Sequence, residues 1–499
     1  MHNAKTLQDW EALAAQLRFS THALIDGKAH QGEGVLMDII NPASGERLAQ
    51  VPACTEKDID LAVKAARRSF KSGVWAKMPR RERKKCLLRL AELIEQHSDE
   101  LALIETLNMG KPISDCLFLD IPESAYTFAW YAELIDKQYD EIAPTDHHAL
   151  ATITRHPLGV VAAVVPWNYP LMMASWKVAP ALAAGNSVVL KPADSSPLSA
   201  IRLGELALQA GIPAGVLNVV PGSGPEAGQA LGLHPDVDCI AFTGSTATGK
   251  RFMQYSGQSN LKQVWLECGG KSPHIIFDDC PDLDQAARAA AIGIFNNQGE
   301  VCIAGSRLYV QSAIYDTFMD KLIACAHDMQ PGNPLDPNSA MGAMVNAEHM
   351  QRVLGYIKSG QEQGAILRLG GQAVHPQAGG YFIEPTIFEV HSQALRIVEE
   401  EIFGPVLAVT RFDTEEQALA YANDHSFGLG AGLWTAQLAR AHRVAQELEA
   451  GLVWVNCYFD SHVSVPFGGV KQSGFGRDKS IHALDKYTSL KSTWFSLKH

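Results

Sequence analysis

No stretch of about 18 consecutive apolar residues occurs in this chain, so no membrane-spanning helix is expected. The N-terminal MHNAKTLQDWEALAAQL is amphipathic and lacks an apolar core, which predicts no signal peptide. Lysine and arginine nowhere form an uninterrupted block. The densest group, Arg80-Arg81-Glu82-Arg83-Lys84-Lys85, is broken by an acid and opens a helical pattern. With a net charge of −12 it reads as a solvated helix face, and nucleic acid is not an expected partner. The nine cysteines are odd in number, irregularly spaced and without a CxxC pair. That argues against a disulfide framework or a zinc site and predicts reduced thiols in a cytoplasmic protein. The 18 histidines form no HExxH or similar pattern, so no metal is expected.

What is present is ordinary globular material in quantity: 499 residues, 46% hydrophobic and 19% charged, enough for two or three domains. Residues 1–50 read as an arm with short strands, ending at the turn-rich Asn41-Pro42-Ala43-Ser44-Gly45. Thr55 caps a helix whose apolar positions fall at helical spacing. Further helices are predicted at about 80–108 and 121–138. From Leu158 the pattern alternates. Apolar strands at 159–165, 187–190, 216–220 and 238–242 are separated by helices near 171–184, 197–210, 226–231 and 245–255. Short apolar strands alternating with helices predict a doubly wound parallel sheet of α/β class. A second α/β unit follows from Ser272 to about Val455. Residues 150–155 and 484–497 read as the strands of an arm.

Cys302 sits at the centre of FNNQGEVCIAGSR, between Gly299 and Gly305, with small residues after it that leave room for a substrate. No basic residue lies within four positions, so local sequence supplies no ion-pair reason for an activated thiol. Nucleophile and buried structural cysteine both remain open on that stretch alone. Upstream, VWLECGGKSP carries Glu267 at the end of a short apolar run, followed by Gly269-Gly270. A carboxylate on a flexible glycine pair suits a mobile general base, and a turn-capping acid would read the same.

Together these two segments resemble the signatures of the aldehyde dehydrogenase superfamily, LECGGKSP for the glutamate and NQGEVCIAGSR for the cysteine. Matches at Trp167 to Tyr169, Leu190 to Pro192, Phe242 to Ser245, Glu401 to Pro405 and Pro466 to Gly469 follow in family order. The resemblance implies a Rossmann-like NAD-binding domain over 1–140 and 158–267 and a catalytic domain over 268–475. It also implies a small β oligomerisation arm over 141–157 and 476–499, which would pair subunits into a dimer or tetramer.

Two turns could hold a pyrophosphate, Phe242-Thr243-Gly244-Ser245 before a helix and Gly222-Ser223-Gly224 before another, and neither is a strict GxGxxG. The resemblance puts the NAD phosphates against the helix that opens at Gly244 and Ser245. Gly224, Pro166 and Trp167 would lie beside the cofactor, Lys191 would hold the adenine ribose, Glu401 the nicotinamide ribose, and Phe403 would pack nearby. Asp194 would disfavour a 2′-phosphate. It is one methylene shorter than the family's commoner glutamate, so discrimination against NADP is expected to be incomplete.

The chemistry implied is oxidation of an aldehyde to its acid. Cys302 would form a thiohemiacetal, its backbone N–H and the Asn168 amide would hold the oxyanion, and Glu267 would activate water on the thioester. Lys177 and Asp478 match positions tied to proton relay, although the family more usually has glutamate at 478. The stretches LECGGKSP, GRDKSIHALDKYTSLK and WYAELIDK resemble most the branch that oxidises γ-glutamyl-γ-aminobutyraldehyde and other ω-amino aldehydes of polyamine breakdown. There Asp120 and Glu123, three residues apart on one helix, would receive a distal amine, with Asp460 at the mouth and Tyr169 and Trp176 lining the way. A broad aliphatic or hydroxyaldehyde dehydrogenase, or a silent structural member of the family, are the competing readings.

Overall fold

The computed structural model describes residues 5–498. Its larger sheet has eight strands, and five parallel ones form the middle. They run in the order Leu217–Val219, Ser187–Lys191, Val160–Val164, Cys239–Thr243, Gln263–Glu267. The chain starts in the centre at Val160–Val164, winds outward one way through two strands, then returns and winds the other way. This is the doubly wound arrangement expected from the alternating pattern, and a crevice opens where the winding reverses, beyond the carboxyl ends of the strands. Val160–Val164 and Ser187–Lys191 are buried along their whole length because helices cover both faces.

Local chemistry explains where the covering helices begin. Helix Glu56–Ser72 opens with Thr55 and Asp58 in a reciprocal capping box. Helix Thr246–Gln258 starts at Ser245, whose hydroxyl accepts the Thr248 N–H. Helix Pro170–Ala184 has proline at its first position and only one residue that is not buried. It is hydrophobic all round because it lies beneath helix Ile121–Leu134 and against the sheet.

The second sheet has seven strands in the order Ile366–Leu369, Thr386–Glu389, Val406–Phe412, Arg307–Gln311, Pro273–Ile276, Gly430–Trp434, Leu452–Val455. All pair in parallel except the outermost, Ile366–Leu369, which is antiparallel. The chain then crosses back: Gly474–Phe475 adds an antiparallel edge to Gln263–Glu267 of the first sheet, tying the two units together beside Glu267. A third sheet pairs Ala149–Pro157 with Thr488–Ser496 and Glu141–Ala143.

The helices differ from expectation in detail. The stretch predicted at 80–108 is two helices, Arg80–Gln96 and Ser98–Met109, broken at His97. A π-helical turn, Cys116–Asp120, precedes Ile121–Leu134, and a second one, Gly224–Gly228, opens the short segment predicted at 226–231. Among the described residues no helix is long and apolar enough to cross a membrane, and the nine cysteines are all unpaired.

Candidate active site

A cavity of about 520 Å³ lies at the carboxyl ends of the first sheet, where it meets the second unit. Its walls include Pro166, Trp167, Asn168, Tyr169, Trp176, Gly244, Ser245, Glu267, Cys302, Glu401 and Phe403, drawn from segments far apart in sequence. Glu123 and Asp460 also line it. Lys177, Lys191, Asp194, Gly224 and Asp120 do not.

Cys302 lies partly exposed on a strained loop. Asn297 and Gln298, five and four residues before it, both adopt left-handed backbone, φ 48° and 56°. Their amides hold that geometry in place. Gln298 accepts from Gly342 N–H at 2.8 Å, while Asn297 donates to the carbonyls of Asn168 and Glu300, each at 3.2 Å. Glu300, fully buried, accepts from Val345 N–H at 3.0 Å. The signature NQGEVCIAGSR contains Asn297, Gln298 and Glu300, but the sequence does not show what their side chains hold. Burial pushes the Cys302 thiol up to about 12, with Glu401 and Glu267 adding to it, although its own N–H and that of Ile303 face the sulfur and oppose the shift. Asn168 spends one amide hydrogen on the Glu300 carbonyl at 2.8 Å. An amide has two, so one remains for the cavity that this residue lines.

Glu267 ends strand Gln263–Glu267 with only 4% exposure, and neither carboxylate oxygen has a hydrogen-bond partner among the described residues. Burial holds its carboxyl well above the usual range and Asp478 adds to this, while Lys177, Lys486 and Arg477 oppose. Behind it Asp478 grips the ammonium groups of Lys177 and Lys486, one on each oxygen, in a buried cluster. Lys177 therefore reaches Glu267 only electrostatically, from behind the cavity wall. Lys486 was not singled out in the sequence.

The Gly269-Gly270 pair serves close approach, where a flexible hinge had been expected. A Cβ on Gly270 would lie 2.5 Å from the Cys302 carbonyl oxygen, and Gly270 N–H donates to Glu401 at 3.0 Å. Gly468 does the same for the base. Its φ is +155°, and a Cβ there would sit 2.8 Å from Glu267 Oε1.

On the other side of Cys302 the cavity follows the crevice of the first sheet. Thr243, Gly244 and Ser245 form its floor, and Thr243 Oγ1 is buried without a partner. Trp167 and Phe403 meet edge to face with centroids 5.3 Å apart, and His349 contacts both rings. Burial brings the Glu401 carboxyl to about 7, against the Gly270 hydrogen bond. Lys191 ends its strand buried, donating to the Pro192 carbonyl at 2.9 Å, and burial lowers its ammonium to about 8. Its side chain lies against the Gly224–Gly228 turn, 3.9 Å from where a Cβ on Gly228 would be. Asp194, three residues after Lys191, is exposed. A helix N-terminus, an aromatic pair and buried polar atoms without partners at the switch point together fit a dinucleotide.

The opposite arm of the cavity is lined by Leu119, Glu123, Met173, Trp176, Phe459, Asp460, Ser461, Phe467 and Lys479. Here one expectation is corrected. Asp120 is fully buried, its Oδ2 lies 2.5 Å from Lys111 Nζ, and it does not reach the cavity, so it cannot receive a substrate amine. Burial disfavours the charge on Lys111, but Asp120 and Tyr169 outweigh it and keep the ammonium above its ordinary value. That ammonium sits 3.7 Å from the centroid of the Tyr169 ring, so the pair braces Tyr169 from behind. Of the three acids expected to meet a substrate amine, Glu123 and Asp460 face the cavity and Asp120 does not. Sequence reading missed Lys479, although it follows Asp478 in the run GRDKS.

An α/β fold with a cysteine, a carboxylate and a carboxamide converging at the switch point of a doubly wound sheet defines a covalent, dinucleotide-dependent oxidoreductase. The aldehyde dehydrogenase family model matches residues 29–493, and the chain belongs to that family. It is 51% identical over 497 residues to the NADP/NAD-dependent aldehyde dehydrogenase PuuC of Escherichia coli K12, covering 99% of this chain and 100% of that protein. A crystal structure of γ-glutamyl-γ-aminobutyraldehyde dehydrogenase from Burkholderia cenocepacia matches with TM-score 0.98 and 55% identity, over 99% of this chain and 100% of the other. The indole-3-acetaldehyde dehydrogenase AldA of P. syringae, solved with NAD+ and IAA, matches with TM-score 0.98 and 53% identity over the same shares.

Proposed function

We propose that this protein oxidises an aldehyde to its carboxylic acid with NAD, through covalent intermediates on Cys302. The observation that carries the reading is the convergence of Cys302, Asn168 and Glu267 on one cavity that continues into the dinucleotide crevice. The Cys302 thiol loses its proton to water in the cavity, and the thiolate sulfur adds to the aldehyde carbon. The oxyanion that forms is held by the Cys302 N–H and the spare hydrogen of the Asn168 amide, both neutral donors at any working pH. When bound, NAD accepts the hydride that leaves the thiohemiacetal carbon, which becomes a thioester. Glu267 then takes a proton from water attacking the thioester, and the acid leaves as the Cys302 thiol is restored. Lys177 and Asp478, with Lys486, form a charged backing that acts on Glu267 electrostatically, and the proton leaves through the cavity that Glu267 lines.

Gly244, Ser245 and Gly224 fit the phosphates, Lys191 and Asp194 the adenine ribose, and Glu401, Phe403, Pro166 and Trp167 the nicotinamide end. An exposed acid is well screened, so Asp194 supports a preference for NAD over NADP of about 1 kcal/mol. The name of PuuC, which gives both cofactors, is consistent with that. For substrates we favour ω-amino, guanidino or γ-glutamylamino aldehydes, with Glu123 and Asp460 at the mouth and Tyr169 and Trp176 along the way. A second reading, aldehydes that carry an aromatic ring on a short alkyl chain, is supported by the rings of Trp176, Phe459 and Phe467 and by the indole-3-acetaldehyde relative.

The division into an NAD-binding unit, a catalytic unit and an arm belongs to the same proposal. Exposed Leu490, Trp494 and Phe495 on the arm strand support subunit pairing into a dimer or tetramer. Unpaired thiols support a cytoplasmic location. The test is direct. NADH absorbance should rise when protein, NAD and butanal are mixed, and Cys302→Ala, folded by circular dichroism, should show none. Turnover in that variant would refute the assignment.

A further inference from the structure

The mouth of the substrate arm carries a cation that the amine-binding reading does not use. Lys479 is 3% exposed and lines the cavity, yet no carboxylate lies within 4.0 Å of its ammonium among the described residues. Its hydrogen bond goes to the Ser461 hydroxyl, and the face of Trp176 lies 5.2 Å away. A buried charge is normally paired, and an ammonium has three donors, so this one has capacity to spare. The backbone is bent to put it there. Lys479 and Ser480 both adopt positive φ, 60° and 51°, pinned by Phe467 and Asp478 exchanging hydrogen bonds at 2.7 Å and by Ser480 N–H on the Val463 carbonyl at 2.6 Å. Strain kept at a cavity wall in two consecutive non-glycine residues points to a side chain with work to do there.

Glu123, on helix Ile121–Leu134, and Asp460 line the same mouth, and the Glu123 charge acts on Lys479 across it. An aldehyde whose tail bears only an ammonium meets two acids and a lysine of its own sign. An aldehyde with a neutral tail uses none of the three. A tail that carries a carboxylate beside an ammonium matches both signs.

We propose that Lys479 is a specificity-determining residue that accepts the carboxylate of a zwitterionic, amino-acid-type tail, while Glu123 and Asp460 face its ammonium. This rests on the reading of the cavity as an aldehyde dehydrogenase site and narrows its substrates to aldehydes conjugated to an α-amino acid. Protonation supports it. Burial lowers the Lys479 ammonium to about 8, with Glu123 and Asp478 opposing, so the group is still charged at neutral pH.

The test compares kcat/KM for 4-(γ-glutamylamino)butanal, 4-acetamidobutanal, 4-aminobutanal and butanal. The first two share the amide and differ in the charged tail. The expected result is a preference of about tenfold or more for the glutamyl compound over the acetamido one, carried mainly by KM, and a weaker preference for 4-aminobutanal over butanal. Lys479→Gln should collapse the glutamyl-to-acetamido ratio towards one, and Lys479→Arg should retain most of it. Equal kcat/KM for the glutamyl and acetamido aldehydes in the wild type would overturn the proposal without any variant having to fold. So would an unchanged ratio in folded Lys479→Gln. Failure of the wild type to oxidise any of the four with NAD would instead refute the underlying enzyme assignment.

Discussion

Lys111 Nζ lies 2.5 Å from Asp120 Oδ2, and neither side chain is exposed to solvent. The second oxygen of Asp120 has no partner among the described residues, so the pair is held by the one contact and by the Tyr169 ring beside the ammonium. Removing one member of a buried pair strands the other, which costs more than the pair contributes when whole.

Asp120→Asn should therefore act on stability and leave tail selectivity alone. The amide keeps the shape but leaves Lys111 without its counter-charge, an expected loss of about 3 kcal/mol in unfolding free energy. The kcat/KM ratio of 4-aminobutanal to butanal should stay within about twofold of wild type, a difference under 0.5 kcal/mol. Denaturant unfolding and the two rate constants measure both. A collapse of the ratio with unchanged stability would put Asp120 back in the substrate path.

The reason this was hidden in the sequence is geometric. Residues three apart on an α-helix share a face only loosely, since at 3.6 residues per turn their side chains diverge by about 60°. A π-helical turn ending at Asp120 disturbs the spacing further. Glu123 consequently lines the cavity while Asp120 faces a lysine nine positions earlier, a partner only the tertiary fold brings near. Cys302 and Glu267 were ambiguous on their own stretches and became legible only when LECGGKSP and NQGEVCIAGSR were matched together to the family signatures. Lys479 was not, because a lysine beside an aspartate reads as surface until Trp176 and Ser461 are seen around it. The parallel, doubly wound character of the first sheet followed from alternating apolar runs and helices, whereas the return of Gly474–Phe475 to that sheet has no local signal. Two residues leave nothing for periodicity to detect.

Cys302 in the free protein should react with iodoacetamide as a thiol whose ionisation lies far above neutrality. Burial, then Glu401 and Glu267, push it up to about 12, and only the thiolate attacks. Below that value the thiolate fraction grows about tenfold per pH unit, so the labelling rate should climb steadily from neutral to mildly alkaline pH with no plateau. Mass spectrometry of the Cys302 peptide against time gives the rate. Saturation near pH 8 would mean that a positive group, unseen around the sulfur, activates it.

Glu267 should make thioester hydrolysis gain rate with pH in the same sense as an ordinary carboxylate base, but at higher pH than an exposed carboxylate, which is fully ionised by about pH 6. Its carboxyl is held well above the usual range by burial, then by Asp478, with Lys177, Lys486 and Arg477 pulling the other way. A carboxyl with a raised value is neutral below it and cannot take a proton from water. The hydrolytic step should thus still be gaining rate at pH values where an exposed carboxylate has finished ionising, following the ionised fraction. Glu267→Gln removes the acceptor and keeps the size of the side chain. That variant should release one equivalent of NADH in a burst and then turn over about 100-fold more slowly, with acyl mass on Cys302 and most of the pH slope gone. Rapid-mixing absorbance and intact-protein mass spectrometry at three pH values would decide it. A steady rate equal to wild type, or a pH slope that survives in Glu267→Gln, would show that another group on the cavity wall activates the water.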